Sequence, residues 1–267
     1  MGYFEQALLA AVIIGALSGL VGTLVVLRRR TFFAQALTHA TFPGAVGAAM
    51  LGWSIPLGAA FASVVIVGVM TLIGRIKRQG SQVASGILLT AGFALGVTLQ
   101  SLNPVPVHVD SYLVGSILTV TTGDLVLASA VLGGAVLVLA VFGKQILFST
   151  FDVNGYRAAG YREWPIEVMA LVLITATVVT AMPAVGAILA IALIAAPAAA
   201  ARLVTRTASH IFVVAPMLGA LAGVAGVLLS RNLDVAAGPA IALCAAALFV
   251  VALLVRSAER MWLRLKS

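Results

Sequence analysis

The sequence carries little charge, and this scarcity limits what the protein can be. Only 9% of its 267 residues are charged and 62% are hydrophobic, whereas about a quarter of the residues in a soluble domain are charged. A soluble globular protein, a disordered chain and a collagen-like chain are therefore excluded. The apolar residues form long runs, which favours membrane-spanning helices over a β-barrel. We predict an all-α integral membrane protein, with residues 1–267 forming a single transmembrane domain.

Cysteine, histidine and known catalytic motifs are also scarce. The single cysteine, Cys244, lies within an apolar run and allows no intrachain disulfide. The sequence contains no GxxxxGKS, GxxxxGKT, GxSxG or HExxH motif, so it cannot bind ATP through a phosphate-binding loop. Its three histidines and eight acidic residues form no plausible catalytic cluster. We therefore predict that the chain is not an enzyme.

The apolar runs predict about nine membrane spans. Pro183 and Gly186 mark either a turn between two spans or a kink within one, so eight spans are the alternative. The stretch 111–120 is too short to span, and we predict a short helix there at one membrane interface. The nine predicted spans are 7–27, 35–54, 56–74, 83–102, 125–143, 167–183, 185–201, 211–230 and 238–255.

The sixteen basic residues are distributed very unevenly over the loops between these spans. Fifteen fall on one side and only Arg231 falls on the other. The positive-inside rule then places the N-terminus outside and the C-terminus in the cytoplasm. The net charge of +8 therefore reflects the orientation of the chain in a lipid bilayer, and we predict no nucleic-acid partner. The fifteen are Arg28, Arg29, Arg30, Arg75, Lys77, Arg78, Lys144, Arg157, Arg162, Arg202, Arg206, Arg256, Arg260, Arg264 and Lys266.

The predicted outer side has a net charge of −3, against +11 on the inner side. A negative outer mouth concentrates cations, although these acids can equally serve only to solvate the loops. The outer segment 103–124 has two prolines followed by the short helix, and it forms a gate, a docking surface or an ordinary exposed loop. His108, Asp110 and Asp124 are its candidate entrance residues, and the first two can bind a metal.

Two polar residues stand near the start of the second predicted span. Gln35 and His39 are four residues apart, so both project from one helical face. Polar groups at membrane depth usually face a cavity or a partner, and a neutral imidazole is a good ligand for divalent transition metals. The alternative is a histidine hydrogen-bonded within the bundle, because one His with one Gln is a poor metal site.

The inner loop 151–167 also departs from plain membrane sequence. Asp152 can cap a short helix that stops at Gly160. A short capped helix at the membrane surface suits docking to a cytoplasmic partner. The alternative is a simple connector.

Four segments of the chain, spread over residues 10–255, match one family pattern in register. Residues 34–44, AQALTHATFPG, resemble the pattern G-D-A-L-S-H-A-x-x-P-G, with Gln35 at the Asp position. Residues 112–118, 150–160 and 185–201 match three further stretches, YLFGxIL, SFDPxxAxxxG and VGxxLxxALLxxPAAxA. The chain thus resembles the permease subunits of bacterial ABC importers for zinc, manganese and iron, the ABC-3 family.

This resemblance implies a type II importer-like fold in a multi-pass protein of the bacterial cell membrane. Two permease chains, expected to be a homodimer, would enclose a pathway for a divalent metal delivered by an extracytoplasmic binding protein. Cytoplasmic ATP-binding subunits would hydrolyse ATP, and this chain would bind no cofactor itself. The implied pathway residues are Gln35, Thr38 and His39. The implied coupling residues in the cytoplasmic loop are Phe151, Asp152, Gly155, Arg157, Gly160 and Tyr161.

Gln35 stands where the family has Asp, and this replaces a charged ligand with a neutral one. This replacement has three possible explanations. The site binds metal only transiently, another residue supplies the charge, or the cargo is a metal chelate or small organic solute. Two other classes remain as alternatives. An ion-coupled secondary transporter would usually show inverted repeats, and an intramembrane enzyme would need a catalytic constellation. The sequence displays neither.

Overall fold

The computed structural model describes residues 2–73, 81–102 and 115–266, and the secondary structure in these ranges is helical. A single 3-10 turn, Ile117–Thr119, precedes α6. The helices are α1 Tyr3–Leu27, α2 Thr31–Ala40, α3 Phe42–Met50, α4 Ile55–Ile73, α5 Ser81–Leu102, α6 Thr122–Phe151, α7 Val153–Ala158, α8 Glu163–Val185, α9 Ala187–Val204, α10 Ala208–Leu233 and α11 Ala237–Lys266.

Six helices in the described ranges are long and apolar enough to cross a membrane, namely α1, α5, α6, α8, α10 and α11. Two shorter apolar stretches lie in α4 and α9, at Ile55–Met70 and Leu189–Val204. These helices confirm the predicted all-α, multi-pass architecture. The total of nine spans stays a prediction.

The second predicted span, 35–54, is wrong as a single helix. The structure divides this region into α2 and α3, with Thr41 between them. Pro43 supplies the physical reason, because a proline lacks an N–H and its ring clashes with the carbonyl four residues earlier. That carbonyl belongs to His39. The break therefore lies beside the candidate pathway residue.

Gly186 is the single residue between Val185, the last of α8, and Ala187, the first of α9, so residues 167–201 lie in two helices; their division into two spans stays a prediction. The φ of Gly186 is 90°, a conformation that favours glycine. The backbone N–H of Ser116 donates a 3.2 Å hydrogen bond to the carbonyl of Pro183. A side chain on Gly115 would collide with the Gly186 backbone. The end of the outer segment thus packs directly over the α8–α9 junction.

Helix α1 lies at the centre of the bundle. In its most apolar window 72% of the residues are buried, against 17% in α5 and in α6. Glycines let α1 cross α10 at backbone contact. A Cβ added at Gly15 would lie 2.3 Å from the carbonyl oxygen of Gly219, and one at Gly19 would lie 2.1 Å from that of Ala215. The GxxxG pairs Gly15–Gly19 and Gly219–Gly223 therefore both lie in the contact between α1 and α10, as close helix packing in membranes requires.

Charged side chains make contacts at both ends of α1. Just past its last residue, Arg28 contacts Ser149, Thr150 and Glu167. We call this the arginine-rich end. At the opposite end, the guanidinium of Arg231 lies 4.3 Å from the centre of the Phe4 ring. These contacts agree with the predicted placement of Arg28 and Glu167 on one side, and the orientation of the chain in the membrane stays a prediction.

Enlarging Gly19 should destabilise the bundle. A leucine there must displace the Ala215 backbone, and overpacking of this kind costs about 1–3 kcal/mol. Gly133→Leu is the matched control, because a Cβ at Gly133 meets no atom within 4 Å. Thermal unfolding of the purified chain in detergent should show a lower midpoint for Gly19→Leu only. Equal loss in both variants would contradict the close crossing of α1 and α10.

Candidate functional site

The three predicted pathway residues lie on α2, but they differ in exposure. Gln35 and His39 are half-buried, whereas Thr38 is fully buried. The Thr38 hydroxyl donates a 2.8 Å hydrogen bond to the backbone carbonyl of Gln35. This leaves the Thr38 oxygen with acceptor capacity only. Gln35 and His39 are therefore the two side chains on this helix best able to meet a solute.

Helix α5 forms the wall beside His39. The Phe93 ring lies edge-on to the imidazole, with 5.8 Å between centroids, and stacks on Phe42 with 5.7 Å between centroids. Glycines permit this approach, because a Cβ at Gly92 would lie 2.7 Å from the Ala40 Cα. A Cβ at Gly96 would lie 2.2 Å from a ring carbon of Phe42. The α5 residues were missed in the sequence, although Gly92 and Gly96 form a GxxxG pair that signals close helix packing.

The break between α2 and α3 is also anchored. The Thr41 hydroxyl lies 3.1 Å from the Thr38 carbonyl oxygen and 3.5 Å from the Met182 sulfur. The break is thereby held against α8. Among the described residues, no three or more His, Cys, Asp or Glu side chains group together as a metal site. Within this part of one chain, Gln35 and His39 thus offer a cation a weak, partial coordination shell.

Asp124, a predicted entrance residue, caps α6. Its Oδ2 accepts hydrogen bonds from the Thr121 backbone N–H at 2.9 Å and from the Thr121 hydroxyl at 2.8 Å. Its own N–H donates to the Thr121 hydroxyl at 3.3 Å, which completes a capping box. The other two predicted entrance residues, His108 and Asp110, lie outside the described residues.

The predicted capped helix of the inner loop is present as α7. Asp152 Oδ1 accepts a 2.8 Å hydrogen bond from the Gly155 backbone N–H, and Gly160 has a φ of +83° just beyond the helix. Tyr156 is buried and stacks on Tyr161 with 5.0 Å between ring centroids. Phe151 and Tyr161 are exposed. The loop therefore presents one exposed aromatic side chain on either side of a short helix that is fixed at both ends.

A charged cluster ties this loop to the rest of the bundle. Glu167, in the first turns of α8, accepts from Arg28 at 2.7 Å and from Arg30 at 2.5 Å. Arg28 also donates to the Ser149 hydroxyl at 2.7 Å and to the Thr150 hydroxyl at 3.2 Å. Burial lowers the pKa of Arg28 below its ordinary value, and the Glu167 carboxylate opposes that shift. We call these five residues the Glu167 cluster.

The Glu167 cluster joins α8, which carries Glu167, to the ends of α1 and α6 and to the start of α2. Arg28 ends α1, Arg30 immediately precedes α2, and the two hydroxyl residues end α6. It was missed in the sequence, although the charge pattern had put these arginines and Glu167 on one side. A second ion pair, Arg157–Glu163 at 2.6 Å, is local to the loop, and its arginine side chain is 64% exposed.

The profile of the ABC 3 transport family matches residues 1–256. The manganese transport system membrane protein MntC of Halalkalibacterium halodurans is 32% identical over 251 residues, covering 94% of this chain and 86% of MntC. The chelated iron transport system membrane protein YfeC of Yersinia pestis is 29% identical over 236 residues, covering 88% of this chain and 80% of YfeC.

A solved structure of PsaBC from Streptococcus pneumoniae, in complex with a Fab, is also similar to this chain. Its TM-score is 0.89 at 30% identity, with 100% of this chain and 96% of the PsaBC chain covered. Together with the apolar helices, these similarities identify a multi-pass bacterial membrane protein.

Glu167→Gln should destabilise the chain more than Glu163→Gln. The first change removes the carboxylate charge from Arg28, whose side chain is only 10% exposed, at a cost of about 1–3 kcal/mol. The second breaks a solvent-exposed pair, and such pairs contribute about 0–1 kcal/mol. Thermal unfolding of the purified variants in detergent checks the order. An equal or reversed order would contradict a structural role for the Glu167 cluster.

Proposed function

Because the chain belongs to the ABC 3 transport family, we propose that it is the membrane-spanning subunit of an ATP-driven importer of a divalent transition metal. The observation that carries the proposal is the half-buried Gln35 and His39 pair beside a helix break, in a chain that matches this family over nearly its whole length. The ATPase is a separate cytoplasmic subunit. The cargo arrives from an extracytoplasmic binding protein, and a second, identical permease chain completes the pathway.

Manganese is the favoured cargo, with iron as the alternative. The related MntC and YfeC are named as manganese and chelated iron transport proteins. Carbonyl oxygens suit Mn²⁺ and imidazole suits iron, so the Gln35 amide oxygen and a His39 nitrogen can replace water ligands of either metal. Two copies of the chain would double this donor set. Weak coordination favours release, and selectivity then rests with the binding protein.

The arginine-rich end faces the cytoplasm in this proposal, with the N-terminus outside. Residues 151–167 then meet the ATPase, using Phe151, Arg157 and Tyr161 at the exposed surface of the loop. Asp124 and the segment before it lie at the extracytoplasmic entrance, together with His108 and Asp110.

The Glu167 cluster offers a route from the ATPase to the cargo. Glu167 lies at the end of the docking loop and holds Arg30, the residue before α2. Helix α2 carries Gln35 and His39. A displacement of the loop can therefore reach the cargo-facing helix through the ion pair between Glu167 and Arg30.

His39→Ala should reduce manganese uptake to background, because the site loses its only nitrogen donor on α2. His210→Ala is the control, since His210 is exposed and bonds to Thr207 near the start of α10. Uptake is measured in proteoliposomes that contain the ATPase and are supplied with the binding protein. Gln35→Asp should slow release by adding a charge. Normal uptake by a correctly assembled His39→Ala complex would contradict the pathway.

Gly155→Pro should uncouple ATP hydrolysis from uptake. Proline removes the N–H that Asp152 accepts, so α7 loses its cap. Val153→Pro is the matched control, because Val153 is the first residue of α7, where proline is tolerated. The measurement is metal taken up per ATP hydrolysed in the reconstituted complex. A Gly155→Pro complex with a normal ratio would show that the capped helix is not the coupling element.

A further inference from the structure

A cavity opens at the arginine-rich end, beside the Glu167 cluster. Its volume is 820 Å³. Three arginines and two glutamates contribute to its lining, so charges of both signs face one space. They are Arg28, Arg30, Arg157, Glu163 and Glu167.

An apolar groove of 810 Å³ runs between α4, α6 and α8. Four residues line both the charged cavity and this groove, so the two spaces adjoin each other. They are Val67, Trp164, Val168 and Leu171. From Leu57 to Leu72 of α4 the groove extends for about 22 Å at the rise of an α-helix. That is most of the roughly 30 Å hydrocarbon core of a bilayer.

We propose that these two adjoining spaces together form a binding site for phosphatidylethanolamine, with the headgroup in the charged cavity and an acyl chain in the groove. The inference goes beyond the transport function and does not depend on it. A charged end joined to a long apolar channel has the amphipathic form of a phospholipid. The exposed Trp164 lies where the two parts meet, as aromatic residues do at membrane interfaces.

The headgroup chemistry follows from the charged residues. Arg30 and Arg157 each use one nitrogen in an ion pair, and a guanidinium has five N–H donors. Their other donors suit a phosphate. Glu163 Oε1 is buried and has no hydrogen-bond partner among the described residues. Oε1 reaches the cavity when the Glu163 side chain rotates, and a primary ammonium then supplies the missing donor, whereas the choline headgroup has no N–H. The cavity therefore distinguishes ethanolamine from choline.

The groove can be filled without disturbing the backbone. Gly68 lines it, and a Cβ there meets no atom within 4 Å. Gly68→Phe therefore places a ring where the acyl chain would lie. Gly133 on α6 has the same open surroundings and lines neither space. Gly133→Phe is accordingly the matched control.

The test is native mass spectrometry of the full chain, purified with equimolar phosphatidylethanolamine and phosphatidylcholine that carry identical acyl chains. The wild type and Gly133→Phe should retain phosphatidylethanolamine in clear excess over phosphatidylcholine. Gly68→Phe should lose most of the bound lipid. Glu163→Gln should still bind lipid but with the preference for ethanolamine reduced towards equality.

Three results would overturn the proposal. One is equal retention of the two lipids by the wild type. Another is unchanged lipid binding by Gly68→Phe. The third is dissociation of a dimer by Gly68→Phe at unchanged lipid content, which would show that a second copy of the chain covers the groove.

Discussion

The backbone contact between α1 and α10 is the constraint on which the rest of the bundle depends. Gly15 and Gly19 have no side chain to hold the helices apart, so α1 can occupy the centre. Its last turn then delivers Arg28 to Ser149 and Glu167. The Arg28 side chain is only 10% exposed, and its charge is tolerated there because it is paired and hydrogen-bonded. The packing of small residues between α1 and α10 thus determines where the Glu167 cluster forms at the end of the bundle.

Helix α2, which carries the candidate pathway residues, is short. Pro43 ends α2 near His39, and α5 closes over the break because Gly92 and Gly96 give it room. Irregular backbone at membrane depth is tolerated where protein surrounds it or where it lines a cavity. A half-buried amide and imidazole beside such a break provide polar contact without a full ligand set. That arrangement suits a solute that must leave as readily as it enters.

The charge pattern placed Arg28 and Glu167 on one side of the membrane, and the structure pairs them. The local sequence allowed the Asp152 cap to be predicted, because capping depends on residues only three positions apart. The prediction of a single helix over 35–54 was wrong because one proline barely changes the hydropathy of an apolar run. The contacts of Phe93 and Glu167 were not predicted, because their partners are far away in sequence.

The sequence by itself determined the membrane class, the helical architecture and the family, because each of these follows from composition, from local periodicity or from motifs that are read along the chain. Only the tertiary structure decided which glycines meet, that Asp124 is used as a cap, and that two arginines share one carboxylate. It alone placed a charged cavity beside an apolar groove. These features depend on the relative placement of separate helices, and side-chain packing sets that placement rather than any local run of residues.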